Sequence, residues 1–249
     1  MTPSLSLILP AYNEEAVIAD AVAEADAALR SLAWRYEIIV VDDGSTDDTA
    51  RIVAGLSNWF QWLRLFQHEG NLGYGAALRT GFRAATCDLV AFTDADCQFD
   101  LMDLGRLIPW MASHPIMVGY RVDRQDSWRR KFFSWGYNQL VRRLLGTGVR
   151  DCDCALKLFR RSILRDLMPQ SRGFFVNTEM LARARQLGLT VGEIGVQHRP
   201  RLAGSSKVSL MDIPKTLRVL LPFWWRNVVH TPQAVPALTT AVQPMSRAA

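Results

Sequence analysis

Apolar and polar positions change period in a regular way along the first hundred residues. Leu5 to Leu9 is a short apolar run that stops at Pro10 and reads as a buried strand. From Glu14 to Leu32, apolar residues recur at helical spacing among charges and alanines. Glu37 to Val41 is a β-branched run that ends at Asp42-Asp43-Gly44-Ser45, where Ser45 or Thr46 could cap a helix from Asp47 to about Leu56. Leu63 to Phe66 predicts a third strand and Gly75 to Ala85 a helix. Leu89 to Thr93 predicts a fourth strand, ending at Asp94-Ala95-Asp96. Strand-helix alternation of this kind predicts an α/β layer on a mostly parallel sheet. Right-handed crossovers align the strand ends along one edge, and ligands of open α/β sheets bind beyond it. Tyr12-Asn13-Glu14, Asp42-Asp43 and Asp94 to Gln98 all follow strands, so they should converge in space.

The second half is less regular. Ile116 to Tyr120 predicts a strand, followed by a Trp/Arg-rich helix from about Ser127 to Leu145 that Gly146 and Gly148 break. Leu156 to Phe159 is a short strand candidate, Phe174 to Leu187 a helix carrying Glu179, and Thr190 to Arg199 an extended segment. Leu210 to Val229 is helix-prone despite Pro214 and Pro222, and Pro232 to Ala249 lacks periodicity and predicts a disordered tail. The expected organisation is a catalytic domain over 1–208, with halves 1–110 and 111–208, an amphipathic helix over 209–230 and a tail over 231–249.

Composition is that of an ordinary globular chain of 249 residues, 49% hydrophobic and 21% charged. The net charge of +5 hides an asymmetry: residues 1–110 carry −9 and residues 111–249 carry +14. An acidic half suits metal binding, and a basic half suits a phosphate-bearing substrate or an anionic membrane surface. Unevenly placed, solvated surface charge would look the same. Cys87, Cys97, Cys152 and Cys154 form no C-x-x-C pair, so reduced thiols are the simplest reading. No signal-peptide pattern opens the chain, and no apolar stretch reaches the roughly 20 residues that span a bilayer.

Asp94-x-Asp96-x-Gln98 is the central chemical feature. Two carboxylates one residue apart, just past a strand, can turn toward one hard cation such as Mg²⁺ or Mn²⁺, which bridges carboxylates to substrate phosphates. Asp-x-Asp also arises in ordinary turns. Asp42 and Asp43 could accept hydrogen bonds from a base or ribose, or form a helix-capping turn, or both. Asn71-Leu72-Gly73-Tyr74-Gly75 opens a helix where glycines would let backbone approach a ligand, but the third glycine of the dinucleotide fingerprint is missing.

Taken together, Leu9-Pro10-Ala11-Tyr12-Asn13-Glu14-Glu15, Val40-Val41-Asp42-Asp43-Gly44-Ser45-Thr46-Asp47, Gly70-Asn71-Leu72-Gly73-Tyr74-Gly75 and Asp94-Ala95-Asp96-x-Gln98 resemble the inverting family 2 glycosyltransferases of GT-A fold. In the second half, Arg121, Arg130 with Ser134, Asp153-Cys154-Ala155-Leu156-Lys157 and Gly204-Ser205-Ser206-Lys207 resemble the dolichol-phosphate mannose synthases and bacterial polyprenyl-phosphate relatives. Those enzymes usually read Cys-Gly-Phe-Lys where this chain has Cys154-Ala155-Leu156-Lys157. The resemblance implies a mixed GT-A sheet flanked by helices, a nucleotide diphosphate sugar donor, GDP-mannose or a UDP-sugar, and a polyprenyl phosphate acceptor. By the same resemblance Pro10, Ala11, Tyr12, Glu14, Asp42, Asp43, Gly73 and Asp94 would hold the nucleotide. Asp94, Asp96 and Gln98 would hold metal and diphosphate. Arg121, Arg130, Ser134, Arg201 and Lys207 would bind phosphate on the donor or acceptor. A phosphate monoester acceptor is already anionic near pH 7 and needs no general base. Asp96, Arg121, Arg130 and Glu179 are then the candidate catalytic residues, Glu179 as base for a hydroxyl acceptor or as a positioning group.

Leu217 to Trp225, flanked by Lys215, Arg218 and Arg226, suits a peripheral place on the inner face of the cytoplasmic membrane or packing against the core. A nucleic-acid partner is not expected, and oligomeric state stays open. Three other functions compete: transfer to a saccharide or small-molecule hydroxyl, nucleotidyl transfer, and non-catalytic nucleotide-sugar binding.

Overall fold

The computed structural model describes residues 3–122, 128–200 and 212–229. Arg201, Lys207 and the tail from 231 lie outside the described residues, and so does the side chain of Arg130.

In chain order the elements are β1 (Ser4–Ala11), α1 (Ile18–Leu32), β2 (Arg35–Asp42), α2 (Thr49–Leu56), β3 (Leu63–Gln67), α3 (Tyr74–Ala84) and β4 (Leu89–Phe92). Then come α4 (Leu104–Leu107), β5 (Ile116–Val122), α5 (Trp128–Leu145), β6 (Lys157–Arg160), α6 (Leu164–Leu167), α7 (Val176–Gln186), β7 (Val191–Gln197) and α8 (Asp212–Trp224). A π-helical turn, Trp225–Val229, continues α8. The seven strands form one sheet in the order β3-β2-β1-β4-β6-β5-β7. Pairings among β1 to β4 are all parallel, as is β5 with β7, whereas β6 is antiparallel to both β4 and β5. The sheet is therefore mostly parallel with one antiparallel strand, the mixed arrangement expected, and β5 runs in the same direction as β4. The ends of β1, β2, β4 and β5 consequently share one edge.

Strand residues alternate between two cores. Leu5, Leu7, Leu9, Ile38 and Val40 pack with Ile18, Val22, Leu29 and Val53 on one face. Ile8, Ile39, Val41, Phe92 and Phe159 pack with Leu78, Phe82, Val141, Met180 and Leu220 on the other. Burial on both faces explains why these strands read as continuous apolar runs. Each fully buried Leu or Ile contributes about 1.5–3 kcal/mol relative to exposure.

Two local expectations change. Neither Ser45 nor Thr46 caps α2, which starts at Thr49. Ser45 Oγ instead accepts the Asn13 N–H at 2.9 Å, and Thr46 N–H donates to Asn13 Oδ1 at 2.8 Å. The loops after β1 and β2 are thus stitched together, with Asn13 at φ 51°. α1 begins at Ile18 because a turn comes first, in which Glu14 accepts the Val17 and Ile18 N–H groups. All four cysteines are free and buried. Among the described residues no helix is long and apolar enough to cross a membrane.

Candidate active site

β1 pairs with β4 only as far as Ile8 opposite Phe92, while its pairing with β2 continues to Ala11. Beyond that point β1 and β4 diverge, and Pro10 needs no donor on the β4 side. β1 neighbours β2 on one side and β4 on the other, so strand order reverses here and a ligand crevice is expected. Tyr12 and Glu14 leave from one lip and Asp94 and Asp96 from the other.

The three polar clusters do converge, through hydrogen bonds within the chain. Asp43, 3% exposed, accepts Leu72 N–H at 3.0 Å on Oδ1 and Gly73 N–H at 2.8 Å on Oδ2. The next residue, Tyr74, donates its hydroxyl to Asp94 Oδ1 at 3.0 Å. Asp43 also meets His68 Nδ1 at 2.7 Å, and His68 Nε2 meets Thr80 Oγ1 at 2.9 Å. Asp42, fully buried, accepts the hydroxyl of Ser45. These two aspartates therefore hold the loops that frame the crevice, a fuller role than the capping turn or base contact read from sequence.

The glycines have a neighbour that the sequence did not reveal. A side chain on Gly73, at φ 96°, would lie 2.7 Å from the Arg172 carbonyl oxygen, and one on Gly75 would lie 2.0 Å from that of Ser171. What approaches this backbone closely is the 169–173 segment of the same chain. Glu179 holds that segment. It is 1% exposed and accepts Gln170 N–H and Ser171 N–H at 2.8 Å each, and Arg183 at 2.9 and 3.0 Å. Burial pushes its pKa up, but the Ser171, Gln170 and Arg183 contacts outweigh that and hold it below the ordinary glutamate value. Glu179 is thus a buried, ion-paired carboxylate that fixes the 169–173 segment.

Asp96 is 3% exposed and accepts Gln98 N–H at 3.2 Å. Gln98 donates its side-chain amide to the Arg199 carbonyl at 3.3 Å and accepts Arg199 N–H on its own carbonyl at 2.8 Å. This ties the acidic loop to the segment that leads to Arg201 and Lys207. Among the described residues no group of three or more His, Cys, Asp or Glu forms a closed metal cage. Two carboxylates at a crevice fit instead a hard cation that completes its shell with water and substrate phosphate. The neighbouring Thr93 hydroxyl is buried without a hydrogen-bond partner among the described residues.

The end of β5 opens a second feature on the same edge. A cavity of about 290 Å³ is lined by Tyr120, Arg121, Lys131, Ser134, Trp135, Asn138, Gln139, Arg142, Arg150 and Asp151. Four cations face one carboxylate. Arg121 forks onto Asp151, Nε to Oδ2 at 2.7 Å and Nη2 to Oδ1 at 2.9 Å, with both side chains 9% exposed. Burial opposes its charge, but Asp151 outweighs that and raises its pKa. The fork read as a phosphate binder thus spends two donors inside the chain. Arg150 lies 4.7 Å over the Tyr120 ring, and Arg142 donates to the carbonyls of Val149 and Arg150. Ser134 lines the cavity, and α5 carries Arg130 one turn earlier.

Residues 6–168 match the pattern of "Glycosyl transferase family 2". The chain belongs to that family. It is 34% identical over 227 residues to the dodecaprenyl-phosphate galacturonate synthase of Rhizobium johnstonii, covering 87% of this chain and 64% of the relative. It is also 34% identical over 212 residues to the undecaprenyl-phosphate 4-deoxy-4-formamido-L-arabinose transferase of Sodalis glossinidius, covering 84% and 64%. The chain thus spans about two-thirds of the length of these curated relatives. Its fold matches the glucosyl-3-phosphoglycerate synthase of Mycobacterium tuberculosis, solved with Mn²⁺ and UDP-glucose, at TM-score 0.70 and 21% identity over 93% of this chain and 81% of that one. The sheet is therefore the GT-A arrangement that the family resemblance implied.

Tyr74, His68, Lys131, Arg150, Asp151 and Asn177 were not singled out from sequence. Tyr74 stood only inside the Asn71 to Gly75 motif, and Asp151 is one of four acidic or thiol-bearing positions between Arg150 and Ala155.

Proposed function

We propose that this chain transfers a glycosyl group from a nucleotide diphosphate sugar to a polyprenyl phosphate with inversion. The observation that carries the reading is the cationic cavity at the end of β5, on the same sheet edge as Asp94 and Asp96. The two relatives named for polyprenyl-phosphate substrates support the acceptor class. Asp94, Asp96 and Gln98 would hold Mg²⁺ or Mn²⁺, which would neutralise charge on the departing diphosphate. Tyr12, Glu14 and the loops fixed by Asp42 and Asp43 frame the nucleoside crevice, with Pro10, Ala11 and Gly73 as its floor.

Lys131, Ser134 and Arg150, with Arg121, Arg130, Arg201 and Lys207, would bind the acceptor phosphate. An anionic acceptor attacks without giving up a proton, so positioning and charge neutralisation suffice. Glu179 then acts as a positioning residue. Trp128, Phe132 and Trp135 recur along α5 at 73%, 60% and 60% exposure beside Lys131, and Leu221 and Trp225 are exposed on and after α8. That pattern suits the headgroup layer and supports peripheral attachment to an anionic membrane.

Incubation with sugar-labelled donors, Mn²⁺ and undecaprenyl phosphate should move label into the organic phase. Label that stays water-soluble removes the lipid acceptor, and release of inorganic pyrophosphate would indicate nucleotidyl transfer. Sedimentation with anionic vesicles tests attachment: a chain left in the supernatant removes the membrane reading.

A further inference from the structure

Glu193 is a buried carboxylate in β7 that no step of the chemistry above uses. It is 1% exposed and pairs in register with Val118 of β5, the strand that carries Tyr120 and Arg121. One oxygen, Oε1, accepts the Arg150 N–H at 2.6 Å. The other, Oε2, is buried without a hydrogen-bond partner among the described residues. Burial pushes its pKa above the ordinary glutamate value, against the Arg150 N–H and the charges of Arg150 and Arg142. A half-satisfied buried carboxylate lowers stability, so its place calls for a gain elsewhere.

That gain lies at Arg150. Both backbone groups of this residue are held by side chains from other elements. Its N–H is taken by Glu193 from β7, and its carbonyl by Arg142 from α5 at 2.9 Å. Arg142 also takes the carbonyl of the fully buried Val149 at 2.7 Å. On the following residue, Asp151 is gripped by the Arg121 fork. The Arg150 backbone is thus fixed, while its side chain reaches the cavity wall with the guanidinium 4.7 Å over the Tyr120 ring. A guanidinium held this way is prepared for phosphate oxygens, with little ordering left to do on binding. Glu193 stands behind that wall and does not line the cavity.

We propose that Glu193 is a positioning residue for the acceptor phosphate, acting through Arg150. The inference rests on the cavity being the acceptor site. Two effects of Glu193 oppose each other. Its negative charge weakens the pull of the cavity on an anion, so removing it would tighten binding. Its bond to the Arg150 N–H fixes the loop that presents the guanidinium, so removing it would weaken binding. Glutamine keeps an acceptor oxygen and drops the charge, whereas methionine drops both at similar size, so the two variants separate the effects.

The test is calorimetric titration of the full chain, without donor, with geranyl phosphate as a short, water-soluble prenyl phosphate. Arg150→Ala should weaken binding about tenfold, the scale of one hydrogen bond to a charged group. Glu193→Met should weaken it about fivefold, the scale of one ordinary hydrogen bond. Glu193→Met combined with Arg150→Ala should bind no more weakly than Arg150→Ala alone, because alanine keeps the N–H but has no guanidinium to position. Glu193→Gln should bind as tightly as wild type or more so. Undiminished binding by folded Glu193→Met overturns the proposal. Additive losses in the double variant overturn it too, since general damage to the loop would produce them. Should Glu193→Met not fold, Glu193→Gln remains: retained or tighter binding supports the proposal, and a loss of about tenfold overturns it. Arg150→Ala that binds as tightly as wild type removes Arg150 from the site and overturns the proposal. A wild-type chain that binds no geranyl phosphate overturns instead the acceptor reading of the cavity.

Discussion

The parallel half of the sheet and the mixed half manage buried charge differently. In the parallel half, the carboxylates near the site are met largely by neutral donors: Asp42 by Ser45, Asp43 by the N–H groups of Leu72 and Gly73 as well as His68, and Glu37 by Ser6 and Thr86 as well as Arg64. In the mixed half, full charges meet one another or sit in carbonyl cages: Arg121 on Asp151, Arg183 on Glu179, and Lys157 among Cys152, Cys154 and Asn177. Neutral donors around a carboxylate leave a net negative crevice, suited to a cation and its diphosphate. Ion pairs ringed by extra arginines leave a net positive cavity, suited to a second anion. The asymmetry of −9 and +14 along the sequence is thus expressed at the site and is not confined to solvated surface.

The comparison can be broken first on the acidic side. Asp96→Ala should lower kcat/KM by about 10²–10³-fold with Mn²⁺ present, on the scale of losing one preorganised electrostatic group. Steady-state release of nucleoside diphosphate measures this, and wild-type turnover would place the metal elsewhere.

On the basic side, Arg121→Ala takes the guanidinium fork away from the buried Asp151 carboxylate, and should cost about 3–5 kcal/mol in urea unfolding. Arg121→Met with Asp151→Leu should recover much of that stability. If the double variant recovers turnover too, Arg121 serves only the fold; if it does not, the arginine also serves the acceptor.

Glu179→Gln should destabilise the chain by about 2 kcal/mol at pH 7, since charge-assisted bonds to Arg183 and two N–H groups weaken. The folded pKa of Glu179 lies below its ordinary 4.5, so its contribution is complete above 4.5 and disappears as pH falls through the lower folded value. The gap between wild type and Glu179→Gln should therefore narrow only below pH 4.5, as read by thermal unfolding at several pH values. A gap that closes between pH 5 and 7 would mean a raised pKa and reopen the base role.

Smallest is Ser45→Ala, which removes the bonds to Asn13 N–H and to Asp42 and should cost about 1–2 kcal/mol. A thermal shift beyond several degrees would mean that the β1–β2 stitch does more than hold two loops.

The same contrast explains what was legible in the sequence. The elements of the first hundred residues, and the convergence of Tyr12, Asp42-Asp43 and Asp94-x-Asp96, follow from strand and helix periods and one topological rule. Each motif there is local. The contacts of Arg121 and of the helix-opening glycines are not: Asp151 lies 30 positions from Arg121, and the glycines at 73 and 75 meet a segment beyond residue 168. Charge at those positions was visible, but its employment depends on contacts that no period encodes. The antiparallel β6 was hidden for a related reason, because a four-residue run carries no direction. Lys157 stood out only as a lysine inside an apolar run, a pattern that marks a buried, satisfied charge.

Acceptor chemistry tests the central claim most directly. Nucleoside diphosphate release should be compared with a polyprenyl phosphate and with the corresponding polyprenol, under the same donor, Mn²⁺ and detergent. Turnover with the phosphate and none above background with the alcohol is the result expected of a cationic cavity that receives an anionic acceptor. Equal or faster turnover with the alcohol would contradict it.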